Sequence, residues 1–180
     1  MEEHPILFNA DMVKAILDGR KTQTRRLMKP QPIWEEDPSL DSDGETFCGR
    51  YQYVDQDGAG VEIDIHKPKY QPGEHLEVAE SYLAAPRKKL HRYPGITLEV
   101  TAVRCERVQE ISLDDILAEG VEPDDGWAIA RRHIQEFGTD PKIVFDSMRG
   151  LFGQLWQSIY PGSWERNDWV WVYEFKTVQP

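Results

Sequence analysis

Apolar positions in this chain fall into short runs of strand or helix period, separated by polar punctuation. Pro5-Ile6-Leu7-Phe8 is a short apolar run and predicts a first strand. Asn9 then offers a side-chain cap to a helix starting near Ala10. Met12, Val13, Ile16 and Leu17 fall at helical spacing and give that helix one apolar stripe. Gly19 suits its C-terminal end, where a left-handed residue is needed. Leu76 and Val78 follow the turn Tyr70-Gln71-Pro72-Gly73-Glu74 and predict a strand ending near Ser81. Ile96, Leu98 and Val100 alternate with Thr97, Glu99 and Thr101, the pattern of a half-buried strand. The phase then slips to Val103 and Cys105, which predicts a bulge near Ala102.

Ser112 predicts the cap of a short helix over 113–119, with Asp115 as its capping-box partner and Gly120 as its end. Residues 127–137 and 142–158 carry helical patterns, the second with Phe145, Met148, Leu151, Phe152, Leu155 and Trp156. Pro161-Gly162 breaks the chain, and Trp169 to Phe175 predicts a last strand that is apolar on both faces until Glu174. Strands dominate the core-like regions and helices are interspersed. The expected class is α+β, a small, mostly antiparallel β-barrel with flanking helices in one domain over 1–180. Residues 31–60 stand apart. Eight acids and one base, Arg50, lie among Pro, Gly, Ser and Asp. That composition predicts an acidic surface insertion with a hairpin around Tyr51 to Val54. Residues 84–95 predict a basic loop.

Composition narrows the class of function. No run of about 18 apolar residues exists, so no helical membrane span is expected. The N-terminus lacks a basic region followed by an apolar one, the pattern of a secretory signal. Cys48 and Cys105 lie far apart in different contexts; two buried or idle thiols rather than a disulfide, and a cytoplasmic location, are expected. The net charge of -11 argues against broad, non-specific binding to nucleic acid, which depends on neutralising phosphates. His4, His66, His75, His91 and His133 show no ligand spacing, so neither a metal nor another cofactor is expected. Phosphate-binding and dinucleotide-binding glycine motifs are absent, as is a nucleophile elbow.

Against that acidic background, residues 19–29 carry five positive charges and no acid. Lys21 and Thr24 are close enough in sequence to meet in a turn. Burial and the neighbouring cations Arg20, Arg25 and Arg26 would lower the pKa of Lys21. A neutral Lys21 could then take the Thr24 hydroxyl proton, as in serine–lysine dyads. The alternative is that these cations cap a helix end and solvate a surface. Glu119, in the last turn of a short helix, carries a charge that the helix dipole disfavours, which points to a cationic partner such as Lys21 or an arginine. Trp169, Trp171, Tyr173 and Tyr82 could stack on a base, although Trp171 and Tyr173 equally suit a core.

Residues 15–26, Ala-Ile-Leu-Asp-Gly-Arg-Lys-Thr-Gln-Thr-Arg-Arg, resemble the motif of the ASCH family, whose fold is a PUA-like β-barrel. Pro72 to Val78 with Glu80, Ile96 to Glu122 and Asn167 to Phe175 are similar to further stretches of phage and prophage ASCH proteins. The resemblance implies a basic cleft for a nucleoside or RNA. It also implies the chemistry of a small amidohydrolase that deacetylates N4-acetylcytidine, with Lys21, Thr24 and Glu119 as the catalytic residues. Arg20, Gln23, Arg25, Arg26 and Glu80 would contact the substrate. Two departures stand out. This chain is longer, with the acidic insertion and an added helical region at 123–158. It also has Leu76-Glu77-Val78-Ala79 where many phage relatives carry Trp and Arg, which weakens the case for a phosphate contact there. A non-catalytic module binding RNA or modified nucleic acid is the alternative, and a phage interaction protein with a nucleic-acid-mimicking acidic loop is a third reading.

Overall fold

The computed structural model describes residues 4–32, 39–40, 46–47, 50–54, 61–65, 67–81, 90–121, 136, 138 and 140–178. The strands are β1 (His4–Phe8), β2 (Gln23–Leu27), β3 (Ser39–Leu40), β4 (Thr46–Phe47), β5 (Arg50–Val54), β6 (Val61–Ile65), β7 (His75–Ser81), β8 (Leu90–Arg107) and β9 (Trp169–Val178). The helices are α1 (Ala10–Leu17), α2 (Leu113–Ala118) and α3 (Pro141–Ile159). The expected helix at 127–137 falls almost wholly outside the described residues.

Local chemistry explains most of these elements. The Asn9 side chain accepts from the Met12 amide and starts α1. Ser112 Oγ accepts from the Asp115 amide at 3.1 Å while Asp115 reaches back to the Ser112 amide, a capping box that starts α2. Asp140 caps α3, with Pro141 in its first turn. The β8 ladder shifts register between Val100 and Ala102, where the apolar phase slips.

β1, β7, β8, β9 and β2 form one five-stranded sheet in that order. The β1–β7 pair is parallel and the others are antiparallel. The sheet is therefore mixed, and among the described residues no ladder joins its edge strands β1 and β2. The expected barrel does not close. Its two edges are bridged by a side chain instead: Arg26 on β2 donates to the Leu7 carbonyl on β1 at 2.7 Å and lies over the Phe8 ring. β8 also begins at Leu90, inside the stretch expected to be a basic loop. Separate antiparallel pairs join β3 to β4 and β5 to β6.

Both faces of the sheet are covered, which is why β9 is apolar on both sides. Trp171, Tyr173 and Phe175 face a core with Ile6, Phe8, Leu76, Val78, Leu98 and, from α1, Val13 and Ile16. Val170 and Val172 face a second core built by α2 and α3 through Ile116, Val144, Met148, Phe152 and Trp156. The two cores also correct one expectation from the sequence. Cys105, in the first of them, is disulfide-bonded, and among the described residues no cysteine is free. The idle-thiol reading falls, and the argument from thiols to a cytoplasmic location falls with it. Among the described residues no helix is long and apolar enough to cross a membrane.

Candidate functional site

The basic run leaves α1 through Asp18 and Gly19 and is pinned before it enters β2. The Lys21 amide donates to the Ala15 carbonyl at 3.0 Å, and the Thr22 amide to the Ala118 carbonyl at 2.9 Å. These two bonds tie the loop to the ends of α1 and α2 and bring Lys21 against Glu119. Gly120 permits the approach. Its φ is +77°, and a Cβ there would lie 2.9 Å from Lys21 Cβ.

The Lys21 side chain has no solvent exposure. Its ammonium donates to the Gln23 carbonyl at 2.8 Å, the Glu119 carbonyl at 2.8 Å and Glu119 Oε2 at 2.9 Å. Burial pushes its pKa below the ordinary lysine value. Glu119 opposes that push, while Arg26 and Arg25 add to it. Desolvation prevails although the ion pair is close.

Arg25 is equally enclosed, with no side-chain exposure. Nε donates to Glu106 Oε1 at 3.0 Å and Nη2 to the same oxygen. Nη1 donates to Glu119 Oε1 at 3.1 Å, and Nη2 lies 3.2 Å from Asp115 Oδ2. Every nitrogen of the guanidinium thus faces a carboxylate. Arg104 extends the network through Asp115 Oδ1 at 2.8 Å, Glu106 Oε2 at 3.3 Å, Gln23 Oε1 at 3.2 Å and Glu174. Desolvation pushes the Asp115 carboxyl up. Hydrogen bonding from Ser112 and the Arg25 and Arg104 charges overcome it and leave the pKa below the usual carboxylate value. The bond from Gln23 Oε1 to Arg104 fixes the amide orientation; Gln23 also helps lower the Asp115 pKa, yet among the described residues its buried Nε2 has no partner at full hydrogen-bond geometry.

Thr24 is buried and points to the other face of β2 from Arg25. Its hydroxyl makes no hydrogen bond among the described residues. A shallow, partly open cleft runs along this edge of the sheet. Thr24, Arg25, Arg26 and Glu119 supply its polar lining, and Met12, Phe152, Leu155, Trp156, Ile159 and Tyr160 its apolar wall. β2 is an edge strand, and Thr22 O and Met28 N bond inward toward β9. The alternate backbone groups of Gln23, Arg25 and Leu27 therefore face the open edge, and the Gln23 carbonyl is the one Lys21 uses.

The remaining predicted residues lie elsewhere. Arg20 pairs with Asp18 near the surface at 3.0 Å. Glu80 sits in β7 opposite Phe8, with its side chain outside the described residues. Of the residues expected to stack, Trp171 and Tyr173 are buried in the core, and Tyr82 lies outside the described residues. Glu106, Arg104 and Asp115 were not anticipated as site residues. The alternation of Arg104 and Glu106 along β8 placed both on one face, but no sequence signal said that Arg25 would meet them. Among the described residues no group of three or more His, Cys, Asp or Glu side chains is arranged to hold a metal ion.

No family model matches the chain, and no curated protein matches it. Among solved structures it is similar to protein EF3133 from Enterococcus faecalis V583, of the family DUF984. Identity is 12%, covering 99% of this chain and 82% of that one, with a TM-score of 0.42. A likeness this loose carries no functional argument.

Proposed function

We propose that this chain is an ASCH-type protein whose cleft takes a nucleoside base and hydrolyses the amide of N4-acylated cytosine nucleosides. One observation carries the reading: a buried lysine of lowered pKa is paired with Glu119 at 2.9 Å beside a cleft that Thr24 also lines. A general base must give up its own proton first, and burial moves Lys21 in that direction. Losing that proton leaves Lys21 two hydrogens to donate, so one of its three contacts gives way to a lone pair.

In the proposed reaction the Thr24 oxygen attacks the acyl carbon and its proton passes to neutral Lys21. The bond from that carbon to N4 breaks as Lys21 returns the proton to the leaving nitrogen. Water then hydrolyses the acyl-threonine, releasing the carboxylic acid and restoring Thr24. The Arg25 guanidinium is committed to carboxylates, so Arg26 and the outward Arg25 amide are the donors available to the developing oxyanion. The cleft's wall is mainly apolar and its buried cations are neutralised, which favours an uncharged base over a phosphate backbone.

The test is incubation with N4-acetylcytidine and chromatographic measurement of cytidine. Release is expected from the native chain and not from Thr24→Ala. No release with any of several acyl groups, or full activity in Thr24→Ala, refutes the reading. The second reading is a non-catalytic module of phage origin that binds RNA or modified nucleic acid. It draws on the same lysine, because three acceptors satisfy Lys21 fully as an ammonium. It predicts affinity that falls steeply with salt.

A further inference from the structure

We infer that Glu106 is a positioning residue for the Lys21–Glu119 pair, acting through the Arg25 guanidinium. The inference rests on the proposed function for its consequence in catalysis, but its geometry stands apart from any substrate. A guanidinium is a rigid planar fork, so fixing one edge fixes the direction of the other. Glu106 Oε1 holds the Nε and Nη2 edge of Arg25. The opposite nitrogen, Nη1, is thereby set 3.1 Å from Glu119 Oε1. That contact leaves Glu119 Oε2 to Lys21 at 2.9 Å. The two Glu119 oxygens are thus divided between two cations, and Glu106 keeps Arg25 from taking both.

Glu106 is held in turn. Its second oxygen accepts from Arg104 Nε at 3.3 Å, and Arg104 is tied to Asp115, Glu174 and Gln23. The ladder fixes the row on one sheet face: Arg25 lies opposite Val172, and Val172 opposite Arg104, two residues before Glu106. The charged groups around Lys21 are Glu119 from the end of α2 and Arg25 and Arg26 from β2, with the Phe8 ring of β1 at 5.6 Å. Glu106 does not touch Lys21, so any effect on it must pass through this chain of contacts or through bulk charge.

Two substitutions separate these routes. Glu106→Gln removes the charge, and Glu106→Asp keeps the charge but draws the carboxylate back by one methylene. In both, Asp115 is the one carboxylate left close to the Nη2 edge of Arg25, at 3.2 Å, and the guanidinium can turn further onto Glu119 and compete with Lys21 for it. The Lys21 titration, followed on the full chain by NMR of labelled lysine Cε and Nζ, is expected to move down by roughly half to one pH unit in each. If the pH–rate profile is measurable, its basic group moves by the same amount while KM stays near the native value.

A Lys21 midpoint unchanged in both variants overturns the inference. So does a fall in Glu106→Gln with none in Glu106→Asp, since charge alone would then explain it. Should Glu106→Gln fail to fold, Glu106→Asp decides by itself. The titration needs no substrate, so absence of deacylation by the native chain would refute the proposed function and leave this measurement to judge the positioning.

Discussion

Replacing Gly120 by alanine tests whether the approach of Lys21 to the end of α2 is as tight as its packing indicates. Gly120 follows the helix end with φ +77°, and an added Cβ would lie 2.9 Å from Lys21 Cβ and 3.0 Å from Ala15 Cβ. Two costs combine. A left-handed alanine costs about 1 kcal/mol or somewhat more relative to glycine. The overlap forces a shift of packed side chains, which costs about 1–3 kcal/mol. The chain itself holds the control. Gly19 follows α1 in the same left-handed conformation, at φ +71°, with nothing within 4 Å of its Cβ position. Gly19→Ala therefore carries only the conformational cost, about 1 kcal/mol. Urea unfolding of both variants should show Gly120→Ala destabilised by about 2–4 kcal/mol and Gly19→Ala by about 1. Because the displaced atoms belong to Lys21, Gly120→Ala should also perturb the Lys21 NMR signals, and Gly19→Ala should not. Equal losses in the two variants would refute the close-approach argument.

Three further outcomes are expected. Glu119→Gln leaves Lys21 and Arg25 buried with less compensating charge, so it should lower stability by about 3–5 kcal/mol in chemical denaturation, and a loss below 1 kcal/mol would contradict the burial of the pair. Because burial holds folded Lys21 below 10.5, the unfolded chain binds a proton that the folded chain lacks between that lowered value and 10.5; stability should rise with pH across this window, and Lys21→Met should remove that rise. Asp115 gives the same sign in an acid window: its folded pKa lies below 3.8, so its contribution is present above 3.8 and lost as pH falls through the lowered value, and Asp115→Asn should flatten the acid limb of the stability curve.

The short-range features of this fold were legible because their causes are short-range. Asn9 and Ser112 cap helices three residues ahead of the amides they accept from. The bulge near Ala102 shows as a slip of apolar phase within a single strand. A cationic partner for Glu119, Lys21 or an arginine, is legible from charge placed against a helix dipole, and both Lys21 and Arg25 meet it. The sheet's outline was legible less well. Alternation identifies strands but not neighbours, so neither the parallel β1–β7 pair nor the unjoined edges could be foreseen. Cys105 shows the same limit, since its bonding depends on which distant segment folds beside it.

By itself the sequence determined that cations concentrate at 19–29, that a helix end precedes them, and that Lys21 and Thr24 share one short stretch. It could not decide which of those cations would meet water. Tertiary structure did, by stacking β2 on β9 and β9 on β8, so that Arg25 meets a glutamate 81 residues away and Lys21 one 98 residues away. The physical reason is that charge is a property of a residue, while desolvation and pairing are properties of a place. A run that reads as one basic patch divides once the ladder register sets its neighbours: Lys21 and Arg25 join a neutralised, buried network, while Arg20 and Lys29 stay toward the surface.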